Sequence, residues 1–547
     1  MRSGHIVKDC SSKSRCQQYK SITTPFIPAS TLAKNHNLIY YIPHHAIWQN
    51  ADGNPTLRVV FNALRTTSLG NSVNHVVHTG PKLQSDLVSV LTRWRLHRVV
   101  FSTDIVMMYR SIDVDERDID LQRIAWKRPG DREITHYQLL TLTYGMSCSP
   151  YLSIRVLKQL AIDQGSEYPE AARLLTENTY VDNIFAGEEN RLRPSWKEFE
   201  TGEPTSALGV GWDPVSDEFR FQPPKLAESD QITKRIILAG IARLYDPVGW
   251  LSPIIIIAKV LMQDLWRNQQ SWDDPLPSSL THRWLTFKNN LSHISNIRIS
   301  RWIGTSQGDA LENHGFGDAS KTAYAAVIYI CVQRQDGSRI SRLLTSKTRV
   351  APIKTLTIPR LELCAAFLVA KLLKNVIDVL AISNPVVHAW SASQNVLNWI
   401  RTADPSQWPI FVANRVAEVQ RILPETPWHY VSTEENPADI ASRGTDPQTL
   451  ADSSLWWSGP KWLSLGDKIW TDFPSDDTIL EIDIENKTQI QSTSIAHLFQ
   501  TPQSLSNFSS LTRLKRAETQ LSEVIPDKSD PPRLISKNRT SFNDSQL

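Results

Sequence analysis

One short stretch decides how the first half of this chain folds, and it reads Thr179-Tyr180-Val181-Asp182-Asn183-Ile184-Phe185-Ala186-Gly187. Residues that favour β-strands flank Asp182 and Asn183, and Asx residues between two such runs favour a tight hairpin. A carboxylate at a hairpin tip is held rigidly and reaches outward, which suits a divalent cation that prefers oxygen ligands. Taken alone, however, the pattern is more typical of a surface turn without chemistry.

A second acidic strand end lies upstream, in the run Phe101-Ser102-Thr103-Asp104-Ile105. The apolar run over residues 99–105 predicts a buried strand that ends near Asp104. Two hard carboxylates from separate strands, Asp104 and Asp182, are suited to hold Mg²⁺ for phosphoryl transfer. The two stretches together therefore predict a metal site shared by two strands.

The composition is typical of a globular protein with several domains. The sequence has 547 residues, of which 41% are hydrophobic and 21% are charged. This length exceeds what one compact core uses, and this hydrophobic content exceeds that of disordered chains. The formal net charge of +3 is only weakly basic, so nucleic-acid binding would require local clusters of lysine and arginine.

Cysteine spacing and hydropathy bear on the cellular compartment. Five scattered cysteines argue against a disulfide framework and favour a reducing environment. Residues 1–25 lack the apolar core of a secretory signal, and no apolar run reaches the ~20 residues of a membrane span. We therefore expect an intracellular, cytoplasmic protein without a membrane partner. His5, Cys10 and Cys16 supply three of the four ligands of a structural zinc site, so residues 1–22 are interpreted as a disordered polar tail rather than a zinc module.

Strands and helices follow one another irregularly over residues 24–190, which predicts an α+β unit. We predict strands over residues 40–45, 57–61 and 139–144 and helices over 83–94 and 150–161. Polar sequence separates this unit from a middle section, residues 191–300. Strand-like runs near residues 208–214 and 219–221 and helical patterns over 233–245, 254–266 and 284–291 predict a scaffold there.

Residues 301–445 form a second block with the alternation typical of a mixed α/β sheet. Asp318 precedes a predicted strand over residues 324–330, Glu362 lies in the predicted first turn of a helix over 359–380, and Asp439 begins a helix near 436–444. Acids at helix starts are also favoured by the helix dipole, so Glu362 and Asp439 each have a purely structural alternative. We predict further strands over 386–390 and 428–431 and a helix over 395–401.

The last hundred residues divide into two parts. Residues 446–490 are rich in tryptophan and are predicted to pack against the end of the preceding block, through Trp456, Trp457, Trp462 and Trp470. Residues 491–547 are rich in serine, lysine, asparagine and proline without periodicity, which predicts disorder.

Eight motifs follow one another in a fixed order: Tyr41 to His45, Leu57 to Phe61, Asp104 to Ile112, Tyr180 to Asn183, Leu208 to Pro214, Asp246 to Gly249, Pro359 to Leu363 and Asn436 to Gly444. Together they resemble the polyprotein of BEL/Pao-type LTR retrotransposons over residues 24–187 and 205–470. The resemblance implies reverse transcriptase fingers and palm over 24–190, a shortened thumb-like or connection-like scaffold over 191–300, and a ribonuclease H-like domain over 301–445.

The resemblance assigns roles in the polymerase part. Asp104 and Asp182 correspond to ligands of two Mg²⁺ or Mn²⁺ ions, Tyr109 to the aromatic that excludes a 2′-hydroxyl, and Arg58 to a residue that meets the triphosphate. Core packing is the alternative for Tyr109. Asn183 stands where the family has a further aspartate, and its neutral amide weakens cation binding. The implied partners are an RNA template, a DNA primer and dNTPs.

The resemblance also implies a ribonuclease H site that acts on an RNA–DNA hybrid. Asp318, Glu362 and Asp439 correspond to three of the four carboxylates that hold two Mg²⁺ ions. The family places a fourth aspartate after a strand, in a segment that here reads Trp390-Ser391-Ala392-Ser393. A methyl group binds no metal, so Ala392 predicts impaired hydrolysis.

Three longer differences from the family agree with these substitutions. The first residues resemble the end of a zinc-knuckle region and run directly into polymerase sequence, and no Asp-Thr-Gly or Asp-Ser-Gly peptidase motif occurs. The segment between residues 187 and 208 is short, and residues 508–516 resemble the approach to an integrase. We therefore predict a retrotransposon-derived RNA-directed DNA polymerase with a ribonuclease H-like domain and impaired catalysis. The alternative is a catalytically inactive nucleic-acid-binding remnant.

Overall fold

A computed structural model describes residues 39–51, 54–68, 70–127, 130–188, 205–207, 210–224, 226, 231–381 and 385–465. The predictions for the cysteine-containing N-terminus, residues 189–204, Trp470 and the C-terminal tail lie outside these residues. Helices and sheets are both extensive within them, which confirms the predicted α+β and α/β fold class. No helix in these ranges is long and apolar enough to cross a membrane.

The strands are numbered in chain order. They are β1 His44–Ala51, β2 Asn54–Phe61, β3 Val99–Asp104, β4 Arg123–Trp126, β5 Thr135–Gln138, β6 Thr179–Tyr180, β7 Asn183–Glu188, β8 Thr205–Ala207, β9 Val210–Asp213, β10 Glu218–Arg220, β11 Arg298–Ser300, β12 Ala310–Ala319, β13 Ala323–Gln333, β14 Arg339–Val350, β15 Val386–Ser391 and β16 Trp428–Tyr430.

The helices are numbered in the same way. They are α1 Val73–Val76, α2 Leu87–Trp94, α3 Ser149–Gln164, α4 Pro169–Glu177, α5 Lys234–Ile241, α6 Ser252–Arg267, α7 Ser278–Asn290, α8 Ile358–Leu380, α9 Gln394–Arg401, α10 Ile410–Ile422, α11 Pro437–Arg443, α12 Pro447–Ala451, α13 Ser454–Ser458 and α14 Trp462–Leu465. Short 3₁₀ helices cover Met108–Ser111, Ile119–Gln122, Leu291–Asn296, Pro405–Gln407 and Thr433–Glu435.

The first half is built around a three-stranded antiparallel sheet in the order β3-β7-β6. Helix α2 packs on it, and its buried Trp94 meets Phe185 of β7 edge-on at 5.2 Å between ring centroids. The predicted strand over 99–105 is confirmed, but the prediction that it is buried is wrong, because Val99 is 62% exposed and Asp104 is also exposed. The sheet edge that carries Asp104 is therefore open to solvent.

Three other predictions for the first half differ from the structure. Residues 139–144 form no strand beyond an isolated bridge, because their backbone groups bond to separate loops, as in Leu139 N–H to Gln122 and Leu142 N–H to Ile112. The predicted helix over 83–94 begins only at Leu87. The strand predicted over 40–45 begins at His44.

The second half is built around a five-stranded mixed sheet in the order β14-β13-β12-β15-β16. Its first three strands are antiparallel, whereas β15 and β16 run parallel to β12. Helix α8 lies so close to β12 that a Cβ on Gly315 would be 2.7 Å from side-chain atoms of Leu373 and Val369. Sequence reasoning missed β14 and α10, although Val412, Val416 and Val419 recur at helical spacing.

The motif Asp246 to Gly249 fastens the middle section to this sheet. The buried Asp246 carboxylate accepts backbone N–H bonds from Gly249, Trp250 and Leu251 at 2.7–2.9 Å. Gly249 has a positive φ of 86°, and a Cβ there would lie 1.9 Å from the Ser346 carbonyl oxygen of β14. The turn therefore requires glycine, which lets the loop lie directly against the sheet edge.

Two buried arginines join the first half to the second. Arg95, at the end of α2, donates to the carbonyls of Leu343 and Arg301 at 2.9 and 3.1 Å. Arg301 in turn donates to Asp217 at 2.6 and 2.8 Å and to the carbonyls of Trp94 and His97. These bonds satisfy backbone carbonyls at the end of α2 that the helix itself leaves unpaired.

Arg301→Met is expected to lower the free energy of unfolding by about 3 kcal/mol, because it leaves Asp217 and several buried carbonyls without their donor. Chemical denaturation followed by tryptophan fluorescence measures this change. Arg298→Met is the matched control, since Arg298 lies three residues earlier and its ion pair with Glu218, at 3.8 Å, is partly exposed to solvent. The control should change stability by no more than about 0.5 kcal/mol. Equal effects of the two substitutions would contradict the role given to Arg301.

Candidate carboxylate sites

Strand pairing brings the first two predicted metal ligands together. Asp104 ends β3 directly opposite Asn183, which begins β7, and the Ile105 N–H donates to the Asp182 carbonyl at 2.7 Å. The predicted hairpin exists, but its tip is Val181-Asp182 rather than Asp182-Asn183, because Tyr180 pairs with Asn183. The Asn183 amide donates to Asp182 Oδ1 at 3.0 Å. An amide donor thus occupies part of the carboxylate that a cation would need.

Gln84 holds this hairpin, and sequence reasoning missed it. Its amide nitrogen donates to the Thr179 carbonyl at 3.0 Å, and its amide oxygen accepts the Val181 N–H at 2.9 Å. Val181 has a positive φ of 57°, which costs a β-branched residue about 1–3 kcal/mol. Gln84 therefore fixes a strained turn next to Asp182. No spacing pattern marks such a residue, since it acts from a loop almost one hundred positions away.

Tyr109 and Arg58 differ in how they relate to this site. Tyr109 is half-buried and packs with Ile154 and Val181, while burial raises the pKa of its hydroxyl and the Asp182 charge adds to the rise. Tyr109 thus contributes to packing and also lies near Asp182. Arg58 is exposed on β2 opposite Ile47, and its side chain makes no hydrogen bond or ion pair within the described ranges. The roles implied for both remain predictions.

A cavity of about 560 Å³ brings together Asp318 and Glu362 of the second set of predicted residues, whereas Asp439 is not among the residues that line it. Asp318, Glu362, Ala392, Thr433 and Arg443 line it. Asp318 lies near the end of β12, not at the start of the next strand as predicted. Glu362 lies in the second turn of α8 rather than the first, so helix capping does not explain it. Ala392 follows β15 directly and presents only a methyl group to this cavity.

Helix α11 lies beside the cavity and supplies hydrogen-bond donors to two carboxylates, Asp318 of β12 and its own Asp439. The Ser442 hydroxyl donates to Asp318 at 2.7 Å, and Arg443 Nε donates to Asp439 at 2.6 Å. Asn436 caps α11 and also donates to the Gly317 carbonyl at 3.1 Å, which fixes the helix against β12. The i,i+4 spacing of Asp439 and Arg443 was a usable sequence signal for this pair, although sequence reasoning gave Arg443 no role.

Burial dominates the electrostatics of the cavity. It raises the pKa of Glu362 to about 7, and the charge of Asp318 adds to the rise while the Ser393 hydroxyl opposes it. It also raises the pKa of Asp318, with Asp439 adding to the rise and Ser442 opposing it. Burial therefore makes both neighbouring acids harder to ionise than they are in water.

The side chains at this cavity do not provide the ligands for two metal ions that the resemblance implies. Asp439 is already held by Arg443, Asp318 accepts from Ser442, and Ala392 supplies no ligand. Within the described ranges, no three His, Cys, Asp or Glu side chains converge closely enough to hold a metal ion. The same holds at the hairpin, where Asn183 replaces a carboxylate. Neither site has the full ligand set of a two-metal centre.

The raised pKa of Glu362 predicts a pH-dependent stability. Between pH 4.5 and 7 the folded state binds a proton at Glu362 that the unfolded state has lost, so the free energy of unfolding falls as pH rises through this window. The fall is about 2 kcal/mol. Chemical denaturation at pH 5 and 7.5 in a chelating buffer measures this decrease in the free energy of unfolding. The decrease should be smaller by about the same amount in Glu362→Gln. An identical pH dependence in both proteins would show that Glu362 ionises normally.

Residues 233–393 match the protein family described as Pao retrotransposon-like RNaseH-like domain. The match includes the Asp246 to Gly249 turn, β12 to β15, and three of the residues that line the cavity, Asp318, Glu362 and Ala392. Residues 233–393 are thus similar to the ribonuclease H-like domain of Pao-type retrotransposons, which agrees with the BEL/Pao resemblance predicted from the motifs. A comparison with curated proteins finds no match.

Solved structures of two foamy viral proteins are similar to this chain. One is a foamy viral protease-reverse transcriptase dRH in complex with double-stranded DNA, with 14% identity, a TM-score of 0.49, and coverage of 79% of this chain and 71% of that chain. The other is a foamy viral protease-reverse transcriptase in complex with double-stranded DNA, with 13% identity, a TM-score of 0.46, and coverage of 79% and 85%.

Proposed function

We propose that this chain is a retrotransposon-derived nucleic-acid-binding protein with the architecture of an RNA-directed DNA polymerase and ribonuclease H, and with impaired catalysis at both sites. The observation that carries the proposal is the cavity that unites Asp318 and Glu362 with Ala392. The two acids that this pocket keeps support descent from an enzyme that acts on nucleic acid. The missing acid at Ala392, where the family has an aspartate, supports a reduced rate of hydrolysis.

The hairpin supports the same proposal for polymerisation. Asp104 and Asp182 come from adjacent strands of one sheet, as a polymerase site requires, while the neighbouring Asn183 adds an amide in place of a third charge. Two carboxylates hold a divalent ion more weakly than three, because each lost charge reduces the attraction to the cation. Mg²⁺ or Mn²⁺ would bind at Asp104 and Asp182 and polarise the reacting phosphate oxygens.

The proposed partners are an RNA–DNA hybrid, a primed RNA template and, for residual synthesis, dNTPs. Contacts to the phosphate backbone use lysine and arginine and require no metal ion, so binding persists when catalysis is lost. Arg443, together with Lys321, lines the acidic cavity and supplies positive charge where a strand would enter. An inactive binding protein is the second candidate function, favoured by the ion pair that ties Asp439 to Arg443.

The test is binding of a fluorescent RNA–DNA hybrid, followed by anisotropy in a chelating buffer at several salt concentrations. We expect the logarithm of the affinity to fall linearly with the logarithm of salt, by about 0.9 for each phosphate contact in a B-form duplex. A flat salt response, or no binding at low salt, would refute the nucleic-acid-binding function. Bovine serum albumin at equal concentration controls for non-specific association.

A further inference from the structure

Two arginines from different halves of the chain lie against one tryptophan ring where the halves meet. The guanidinium carbon of Arg98 lies 5.5 Å from the centroid of the Trp302 ring, and that of Arg334 lies 6.0 Å from the same centroid. Each is a cation–π contact, which orients a guanidinium and leaves its charge in place. Two positive charges are therefore held close to each other at this junction.

Arg342 of β14 adds a third guanidinium beside these two. It lies two residues after Ile340, whose side chain is 3.3 Å from where a Cβ on Gly304 would stand, and Arg334 donates to the Gly304 carbonyl at 3.3 Å. Burial lowers the pKa of the neighbouring Arg95 to about 9, and the charge of Arg342 adds to this fall. We call the three arginines and the ring the junction patch: Arg98, Trp302, Arg334 and Arg342.

The junction patch carries a net positive charge. Within the described ranges none of its arginines forms an ion pair with a carboxylate, and the buried Nε of Arg342 has no hydrogen-bond partner there. Asp336 offsets part of the charge, although its carboxylate accepts the Ser338 N–H at 2.8 Å and Arg334 contributes less than Ser338 to the fall in its pKa. Like charges held together repel one another, and an acidic ligand removes this cost.

The junction patch lies far from both groups of carboxylates. Arg98 precedes β3, whose opposite end carries Asp104, so about 20 Å of extended strand separate the two residues. Arg334 follows β13 beside the start of β12, and Asp318 lies about 27 Å further along β12. A nucleic-acid strand at either group of carboxylates therefore has no need of this patch, which favours an acidic ligand of another kind.

The sequence that follows α14 has the complementary charge. Residues 472–483 lie outside the described ranges and read Asp-Phe-Pro-Ser-Asp-Asp-Thr-Ile-Leu-Glu-Ile-Asp. This acidic segment contains five carboxylates and no lysine or arginine. It also carries apolar side chains, which suit contact with a tryptophan ring.

The described chain leads from α14 to the junction patch. Arg339 of β14 donates to the Leu463 carbonyl at 2.7 Å, and Arg339 is the cross-strand partner of Gln333, which directly precedes Arg334. Between the end of α14 and the start of the acidic segment, the backbone can extend up to about 24 Å. Tethering at this range gives the segment an effective concentration at the patch of the order of mM.

We propose that the junction patch binds the acidic segment, residues 472–483 of this chain. Arginine is suited to this task because its planar fork of N–H donors matches the two oxygens of a carboxylate. Arg98 belongs to the first half and Arg334 to the second, so the bound segment fastens the two halves together. The inference is independent of the nucleic-acid-binding function.

The test uses the full chain with the acidic segment neutralised by five substitutions: Asp472→Asn, Asp476→Asn, Asp477→Asn, Glu481→Gln and Asp483→Asn. A fluorescein-labelled peptide with the natural sequence of residues 470–484 is added, and anisotropy measures its binding at low salt. We expect the neutralised chain to bind the peptide about 10-fold more tightly than the unaltered chain, whose own segment competes for the patch. Binding should weaken as salt increases, because the charges are screened.

Substitutions in the patch locate the binding site. In the neutralised chain, Arg98→Gln together with Arg334→Gln should weaken peptide binding about 10-fold, because two carboxylate contacts are lost. Arg421→Gln is the matched control, since Arg421 is an exposed arginine of α10 outside the patch, and it should change the affinity by less than about twofold. A peptide with the same five amide substitutions should bind at least about 10-fold more weakly than the natural peptide.

Three outcomes would overturn the proposal. Equal peptide binding by the unaltered and neutralised chains would show that the segment does not occupy the site in its own chain. Binding that survives Arg98→Gln and Arg334→Gln would place the peptide elsewhere. Displacement of the peptide by an RNA–DNA hybrid at equal charge would assign the patch to nucleic acid instead. Arg98→Gln alone, at an exposed position, keeps the test valid should the double variant not fold.

Discussion

Replacing Asn183 by aspartate is expected to raise primer extension on an RNA template by about 100-fold. The substitution removes the amide that donates to Asp182 and adds a third charge beside Asp104. Cation stabilisation of a phosphoryl-transfer transition state is worth several kcal/mol, and each 1.36 kcal/mol is tenfold in rate. The assay measures incorporation of dNTPs with Mg²⁺ and separately with Mn²⁺.

Two controls accompany this experiment. Asn183→Asp combined with Asp104→Asn should return extension to the level of the unaltered chain, because the gain requires the carboxylate on β3. Asn183→Ser removes the amide without adding charge and should give no gain. Extension by the unaltered chain at the rate of Asn183→Asp would show that the asparagine does not impair this site.

Restoring an acid at Ala392 is expected to raise cleavage of an RNA–DNA hybrid by about 100-fold. The new carboxylate would project into the cavity that Asp318 and Glu362 already line. The added negative charge would attract a divalent cation to the cavity. That cation would compete with Arg443 for the Asp439 carboxylate. Cleavage of a labelled RNA strand in Mg²⁺, resolved by gel electrophoresis, measures the rate.

Ala392→Asn is the matched control, because it has nearly the shape of aspartate without its charge, and it should cleave no faster than the unaltered chain. Adding Glu362→Gln to Ala392→Asp should abolish the gain. Efficient cleavage by the unaltered chain, unaffected by Glu362→Gln, would show that hydrolysis at this cavity needs neither acid.

Sequence reasoning located most elements of the second half, because strongly apolar runs and helical spacing are local signals. It placed α8, β15 and α9 within one or two residues. It failed where structure depends on distant partners. Residues 139–144 are apolar but bond to separate loops, and β14 is stabilised by pairing with β13 and by the Asp246 turn, neither of which a local pattern reveals.

The candidate sites show the same division. Asp104, Asp182, Asp318 and Glu362 were all named from motifs, and the structure collects them into two places. The groups that position them were not found, because Gln84 acts across the fold and Ser442 reaches Asp318 from another element. Side-chain hydrogen bonds between segments far apart in sequence leave no periodic signal.

The buried arginines Arg95 and Arg301 have a practical consequence for dividing this chain into fragments. A cut at residue 300 would separate Arg301 from Asp217, and Arg95 from the Leu343 carbonyl, while baring Trp94 and Trp250. The isolated ribonuclease H-like sheet would then present an apolar face and unpaired backbone carbonyls to water, which favours aggregation. A fragment that can be expressed and purified is accordingly longer than the ribonuclease H-like sheet alone. Such a fragment should begin before α2.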